Sequence, residues 1–214
     1  MNRNKILLAL LFFAIALPVE MAGQSNPKCT IKGTVTSQLD YVWLYDMNGN
    51  PIDSCAVQNG TFTIICDQNT TSVVTIMPKG KQARLPLIPE AKEIFVTIGD
   101  GPATVTGSPL TNELHELQRW IMKQYNDANE KAGPLRQAGM HEEAQAVMDE
   151  MQKTLVDHCK EVYLKHLQDP IGVQAMGFLI NAVSKEEFID LYKKGSDCIH
   201  NDADIAGYYE SLTM

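Results

Sequence analysis

The chain has 214 residues, a net charge of −8 at neutral pH, and 18 Lys and Arg against 26 Asp and Glu. That balance leaves no basic patch for a phosphate backbone and argues against DNA or RNA as a partner. The length suffices for one sizeable core or two modest domains.

The N-terminal residues MNRNKILLALLFFAIALPVEMAGQ place Arg3 and Lys5 before an apolar run from Ile6 to Val19, followed by the small residues Ala22 and Gly23. This is the pattern of a secretory signal peptide, read here as residues 1–23, and the apolar run is shorter than the roughly 20 residues that span a bilayer. No membrane span is therefore expected after processing. Removing 23 of the 214 residues leaves 191, and losing Arg3, Lys5 and Glu20 moves the charge from −8 to −9. Asn26-Pro27-Lys28, ahead of Cys29, lacks the small and apolar residues of a lipid-attachment site. The cysteines Cys29, Cys55, Cys66, Cys159 and Cys198 would then enter an oxidising compartment, where disulfides form and an odd count leaves at least one thiol unpaired. There is no C-x-x-C motif.

Residues 24–107 read as an antiparallel β domain, because apolar residues alternate and turn residues punctuate them at short intervals. The expected strands are Cys29 to Val35, Tyr41 to Asp46, Ile52 to Val57, Thr61 to Cys66, Ser72 to Met77, Ala83 to Ile88, Glu93 to Ile98 and Ala103 to Val105. Seven or eight short strands of this kind predict a sandwich or an open barrel. Asn48-Gly49 and Asn59-Gly60 suit the two positive φ angles of a two-residue type I′ hairpin turn. Two such turns set Tyr45 opposite Ile52, Val42 opposite Cys55, Cys55 opposite Ile64 and Val57 opposite Phe62. One face then carries Val42, Leu44, Cys55, Val57, Phe62 and Ile64 and is the expected core, since a slip by one residue would invert it. The same register puts Cys55 and Cys66 on a diagonal, with Cα atoms roughly 7 to 8 Å apart, too far for a disulfide. The other face presents Tyr41, Trp43 and Tyr45 in a row. That row is either a ligand platform or a surface covered by the helices that follow.

Residues 108–214 change to helical periodicity. Ser108-Pro109 is a helix start, with Ser as cap and Pro in the first turn, and Leu110, Leu114, Leu117, Ile121, Tyr125 and Ala128 form a stripe on a helix to about Lys131. Gly133-Pro134 is expected to interrupt it. A second helix, from about His141 to Gln168, carries Ala144, Met148, Met151, Leu155, Cys159 and Val162, and the two should form an antiparallel hairpin. A third, Gly172 to about Val183, is apolar on most sides and should be the most buried. Ser184 and Glu187 make a capping box for a fourth, Lys185 to Lys194, and a last helix is expected over Asp204 to Ser211. The fold class is thus α+β: a β-sandwich or open barrel followed by a helical hairpin and further packed helices.

No catalytic constellation stands out. His158 and Cys159 are adjacent and point about 100° apart on a helix, and Cys198 with His200 supplies too few ligands for zinc, so neither a metal nor another cofactor is expected. G-x-S-x-G, P-loop and H-E-x-x-H patterns are absent. Cys159 and Cys198 lie on elements that could pack together and are a candidate disulfide.

The order of parts carries a resemblance. Ile31 to Val35 (I-K-G-T-V), Val42 to Ser54 (V-W-L-Y-D, then G-N-P-I-D-S), Asn59 to Phe62 (N-G-T-F) and Val105 to Leu114 (V-T-G-S-P-L-T-N-E-L) precede a charged helical segment. In this the chain resembles the N-terminal domain of unknown function that precedes the thioredoxin-like domain in periplasmic thiol-disulfide oxidoreductases of Gram-negative envelopes. In those proteins a domain with a C-x-x-C motif follows; this sequence ends at Met214, so the resemblance carries over no catalytic residue. It implies a periplasmic or secreted, non-catalytic binding or interaction module, whose protein partner could be thioredoxin-like. Two other functions stay open: a thiol redox partner of a separate thioredoxin-like protein, and a small-ligand site on Tyr41, Trp43 and Tyr45.

Overall fold

The computed structural model describes residues 26–79 and 84–214. The signal-peptide expectation for residues 1–23, and Ala83 at the start of the sixth expected strand, lie outside them. Among the described residues eight strands come first: β1 (Lys28–Val35), β2 (Tyr41–Tyr45), β3 (Pro51–Ala56), β4 (Thr61–Asp67), β5 (Val74–Pro78), β6 (Leu85–Leu87), β7 (Glu93–Ile98) and β8 (Thr104–Thr106). Six helices follow: α1 (Pro109–Gln137), α2 (His141–Lys165), α3 (Pro170–Leu179), α4 (Lys185–Tyr192), α5 (Asp197–His200) and α6 (Ala203–Thr213). This is the expected α+β arrangement. Among the described residues no helix is long and apolar enough to cross a membrane.

The strands form two four-stranded sheets, ordered β4-β1-β7-β8 and β3-β2-β5-β6. Alternation decides the interior: Ile31, Val42, Leu44, Phe62, Ile64, Ile76, Ile94 and Val96 all pack into the core between the sheets, with Cys55 and Val57 partly buried against it. The expected apolar face is therefore correct in its members, although Phe62 and Ile64 reach it from the opposite sheet. Not every pairing is antiparallel as expected, since β1 and β7 run parallel, with Ile31 beside Ile94. Between them the chain visits the second sheet twice, in β2–β3 and in β5–β6, with β4 of the first sheet in between.

Both Asn-Gly turns exist, but neither does quite what the sequence implies. At the first, only Gly49 has positive φ (80°), and the Asp46 N–H donates to the Asn50 carbonyl, closing a three-residue loop. Such a loop is a type I turn completed by one left-handed residue, and the Asp46 carboxylate steadies it by accepting from the N–H groups of Asn48 and Asn50. Tyr45 consequently pairs with Pro51 rather than Ile52, and a bulge then restores Leu44 to Asp53 and Val42 to Cys55. At the second, Asn59 (φ 50°) and Gly60 (φ 72°) make the tight turn, closed by Gln58 and Thr61. The strands then separate into different sheets instead of continuing as a ladder, so β4 pairs with β1.

The helices build a second core from Leu114, Leu117, Ile121, Leu155, Tyr163, Ile171, Met176 and Phe188, which also takes in Ile88 and Val73 from the β region. Gly107 (φ 86°) turns the chain from β8 into α1, and the Ser108 side chain caps the helix by accepting from the Thr111 N–H. α1 does not stop at Gly133-Pro134 as expected but runs through to Gln137. Ala132, fully buried, holds that last stretch, and the Met140 N–H closes the end on the Leu135 carbonyl. The third helix begins two residues earlier than expected, with Asp169 as its cap. Its residues Ile171, Ala175, Met176 and Leu179 are fully buried, in accord with its apolar sequence.

Candidate functional site

Along β2, Val42 and Leu44 turn inward and are fully buried, while Tyr41, Trp43 and Tyr45 turn outward and are half-buried. The rings form a continuous row, with centroids 5.7 Å apart for Tyr41 and Trp43 and 6.2 Å apart for Trp43 and Tyr45. The Tyr41 hydroxyl lies 3.1 Å from Ser54 Oγ on β3, and Met77 on β5 is the cross-strand partner of Trp43. The helical cover considered for this face is not provided by the helical core. That core takes Val73 and Ile88 from the β region and none of the three rings. The reason lies at the joint, where α1 is anchored to the connection between β6 and β7 rather than over β2.

A second site, missed by the sequence reading, lies between α1 and α2. It is a cleft of about 450 Å³ lined among others by Glu113, Trp120, His158, Glu161, Lys165 and His166. His166 is 5% exposed; its Nδ1 lies 2.9 Å from Asp169 Oδ2 and its Nε2 3.1 Å from Glu113 Oε1. Lys165 also pairs with Glu113, and that hydrogen bond, aided by His166, holds the Glu113 carboxyl below its ordinary value against the opposing effect of burial. Asp169 uses its other oxygen to cap α3, accepting from the Ile171 N–H at 2.9 Å. Both ring nitrogens of His166 are thus engaged, and among the described residues no Ser, Thr, Cys or Tyr lines the cleft to act as a nucleophile. The group ties the end of α2 to α1 and α3. The spacing of His166 and Asp169 just before Pro170 was a readable signal for half of it. Glu113, 53 residues earlier, was not.

All five thiols have pKa values above the ordinary 9.0. Burial is the main cause in each, taking Cys66 to about 12 and Cys159 and Cys198 to about 11. The thiolate is the reactive form, so none is poised for attack in the folded chain. All five cysteines, Cys29 and Cys66 included, are free thiols in the structure; Cys159 is enclosed in the helical core, and Cys198 Sγ donates to the Thr71 carbonyl at 3.2 Å. Cys55 and Cys66 stand in different sheets. Among the described residues no three His, Cys, Asp or Glu side chains are grouped to hold a metal.

Residues 29–114 match a family described as Domain of unknown function (DUF4369). The match covers both sheets and ends at Leu114, early in α1, so it includes the joint at Ser108 and Thr111. No curated protein and no solved structure matches the chain.

Proposed function

We propose that the chain is a non-catalytic binding or interaction module of a Gram-negative envelope, periplasmic or secreted, and that Tyr41, Trp43 and Tyr45 are its contact surface for a thioredoxin-like protein. The observation that carries this reading is the row of three half-buried, outward-facing rings outside both apolar cores. Tyr and Trp supply large, rigid contact area with a polar edge and are the commonest anchors of protein interfaces. The choice of partner rests on the resemblance to domains that precede a thioredoxin-like domain. The raised pKa values of all five thiols weigh against the alternative, in which a reactive cysteine of this chain forms mixed disulfides.

Trp43 and Trp120 are the two tryptophans, so a Trp120→Phe chain reports Trp43 alone. Titrating it with a purified thioredoxin-like domain from the same envelope should give a saturable change in Trp43 emission. Tyr45→Ala should weaken that binding by roughly tenfold or more. An emission unchanged across the titration overturns the surface, and disulfide-reductase turnover by the purified chain overturns the non-catalytic reading. A small ligand on the same rings would change the emission without an increase in hydrodynamic size.

A further inference from the structure

We propose that Cys29 and Cys66 form a disulfide that clips the edge strand β4 to β1. The two residues are direct partners in the β1–β4 ladder, between Lys28 opposite Asp67 and Thr30 opposite Ile65. Both point into the sandwich core, with Cys29 fully buried and Cys66 nearly so. The two thiols face each other closely enough that each shifts the other's pKa. None of the other three cysteines shares this ladder: Cys55 is in the other sheet, Cys159 in the helical core and Cys198 on α5.

The register also says how easily the bond closes. The Val35 N–H donates to the Gly60 carbonyl and the Gln68 N–H to the Pro27 carbonyl, which makes every second pair between them, including Cys29 and Cys66, a hydrogen-bonded pair. Cα atoms in such a pair are roughly 5.5 Å apart, inside the range a disulfide accepts. The Cβ atoms, at about 5.5 Å, must approach to about 4 Å. β4 can make that adjustment because it is the outer strand of its sheet and Cys66 ends next to a cavity of about 280 Å³ shared with Asp46, Met47 and Ile52.

Closure consumes one equivalent of a disulfide oxidant, such as glutathione disulfide or the disulfide of an envelope oxidoreductase. The thiolate of one cysteine attacks a sulfur of the oxidant, whose S–S bond breaks and releases one thiolate. The second cysteine, deprotonated, then attacks the resulting mixed disulfide, forming the Cys29–Cys66 bond and expelling the other thiolate. Two electrons pass to the oxidant, and the two protons lost by the cysteines end on its two thiols. Burial keeps both thiols protonated in the folded chain, so the reaction belongs to the stage before β4 closes on β1. The bridge is independent of the aromatic contact surface, and either can fail without the other.

The test refolds the reduced, denatured full chain in a glutathione and glutathione disulfide buffer, blocks free thiols and maps the unreduced peptides. Trypsin followed by chymotrypsin is needed, because cleavage at Phe62 separates Cys55 from Cys66. The expected result is a Cys29 peptide joined to a Cys66 peptide, lighter by two hydrogen atoms than the two thiols, with Cys55, Cys159 and Cys198 blocked. Cys55→Ala should leave the linked peptide unchanged. Recovery of Cys29 and Cys66 both blocked, or either joined to another cysteine, overturns the proposal. Mapping the unaltered chain decides the matter without relying on any variant that fails to fold.

Discussion

The Ile88 N–H donates to Thr111 Oγ1 at 2.8 Å, across the joint between the β-sandwich and the first helix. The Ser108 hydroxyl donates to Glu90 Oε1 at 2.7 Å and lies 3.1 Å from the Ile88 carbonyl oxygen, and Glu90 Oε1 also accepts from the Leu110 N–H at 2.7 Å. Ser108 and Thr111 are fully buried, while the Ile88 side chain sits in the helical core, so one residue fastens the helices to the sheets by backbone and side chain together. Thr111→Val keeps the shape but leaves a buried N–H without an acceptor. The expected loss is about 1 to 3 kcal/mol in urea unfolding followed by far-UV circular dichroism, with Thr111→Ser close to the parent. A Thr111→Val chain as stable as the parent would show that the joint is not held this way.

Two glycines of α3 should respond in opposite directions. A Cβ on Gly172 would lie 1.8 Å from the His166 carbonyl oxygen, because the start of α3 passes directly over the end of α2. Backbone cannot yield as a side-chain tip does, and Gly172→Ala should cost about 1 to 3 kcal/mol or more. At Gly177, exposed on the same helix, a Cβ meets nothing within 4 Å. Gly177→Ala should stabilise by roughly 0.5 to 1 kcal/mol through helix propensity and a smaller unfolded ensemble. Thermal unfolding of the pair in parallel checks both signs.

What the sequence made legible was local. Strand alternation located all eight strands to within a few residues, and Ser108 and Ser184 each proved to be a helix cap. The partner of β4 was not legible, because a tight turn at Asn59 and Gly60 is equally compatible with a hairpin and with a crossing between sheets. That choice depends on how Phe62 and Ile64 fill the space between the sheets. The error hid Cys29 opposite Cys66 while leaving the apolar face correct. The tie of Glu113 to His166 was hidden for a similar reason, since nothing near either residue records a contact across two helices. Pro134 misled in another way: near the end of α1 it forgoes a single intrahelical bond, and the buried Ala132 keeps the turn in place.

His115 should make stability depend on pH in mildly acid solution. Its Nε2 lies 2.8 Å from the Pro86 carbonyl, and burial, with the Arg119 charge adding to it and the Pro86 contact opposing, lowers its pKa from 6.5. Below 6.5 the unfolded chain binds a proton that the folded chain resists, so stability falls as pH drops from 6.5 towards the folded value. His115→Gln, which can still donate to Pro86, should flatten this part of the profile. Unfolding midpoints measured at intervals between pH 7 and pH 5 on both chains test it, and parallel profiles would remove His115 as the cause.

The Cys29–Cys66 bridge predicts a difference between oxidised and reduced protein that itself depends on pH. Closing a loop of about 37 residues contributes roughly 4 kcal/mol in the chain-entropy model, less whatever strain the approach of the Cβ atoms stores. The urea midpoint of the bridged form should therefore exceed that of the reduced form at neutral pH. In the reduced chain the Cys66 pKa is pushed up to about 12 from 9.0, so above pH 9.0 the unfolded chain sheds a proton that the folded chain retains. Reduced protein accordingly keeps this contribution below pH 9.0 and loses it as pH rises towards 12, whereas the bridged form has no such proton to lose. Tyr163, Cys159 and Cys198 also have raised pKa values, but they titrate alike in both forms and cancel in the difference. The gap between the two midpoints should therefore widen from pH 8 to pH 10. It should vanish at every pH in a chain carrying Cys29→Ala and Cys66→Ala together.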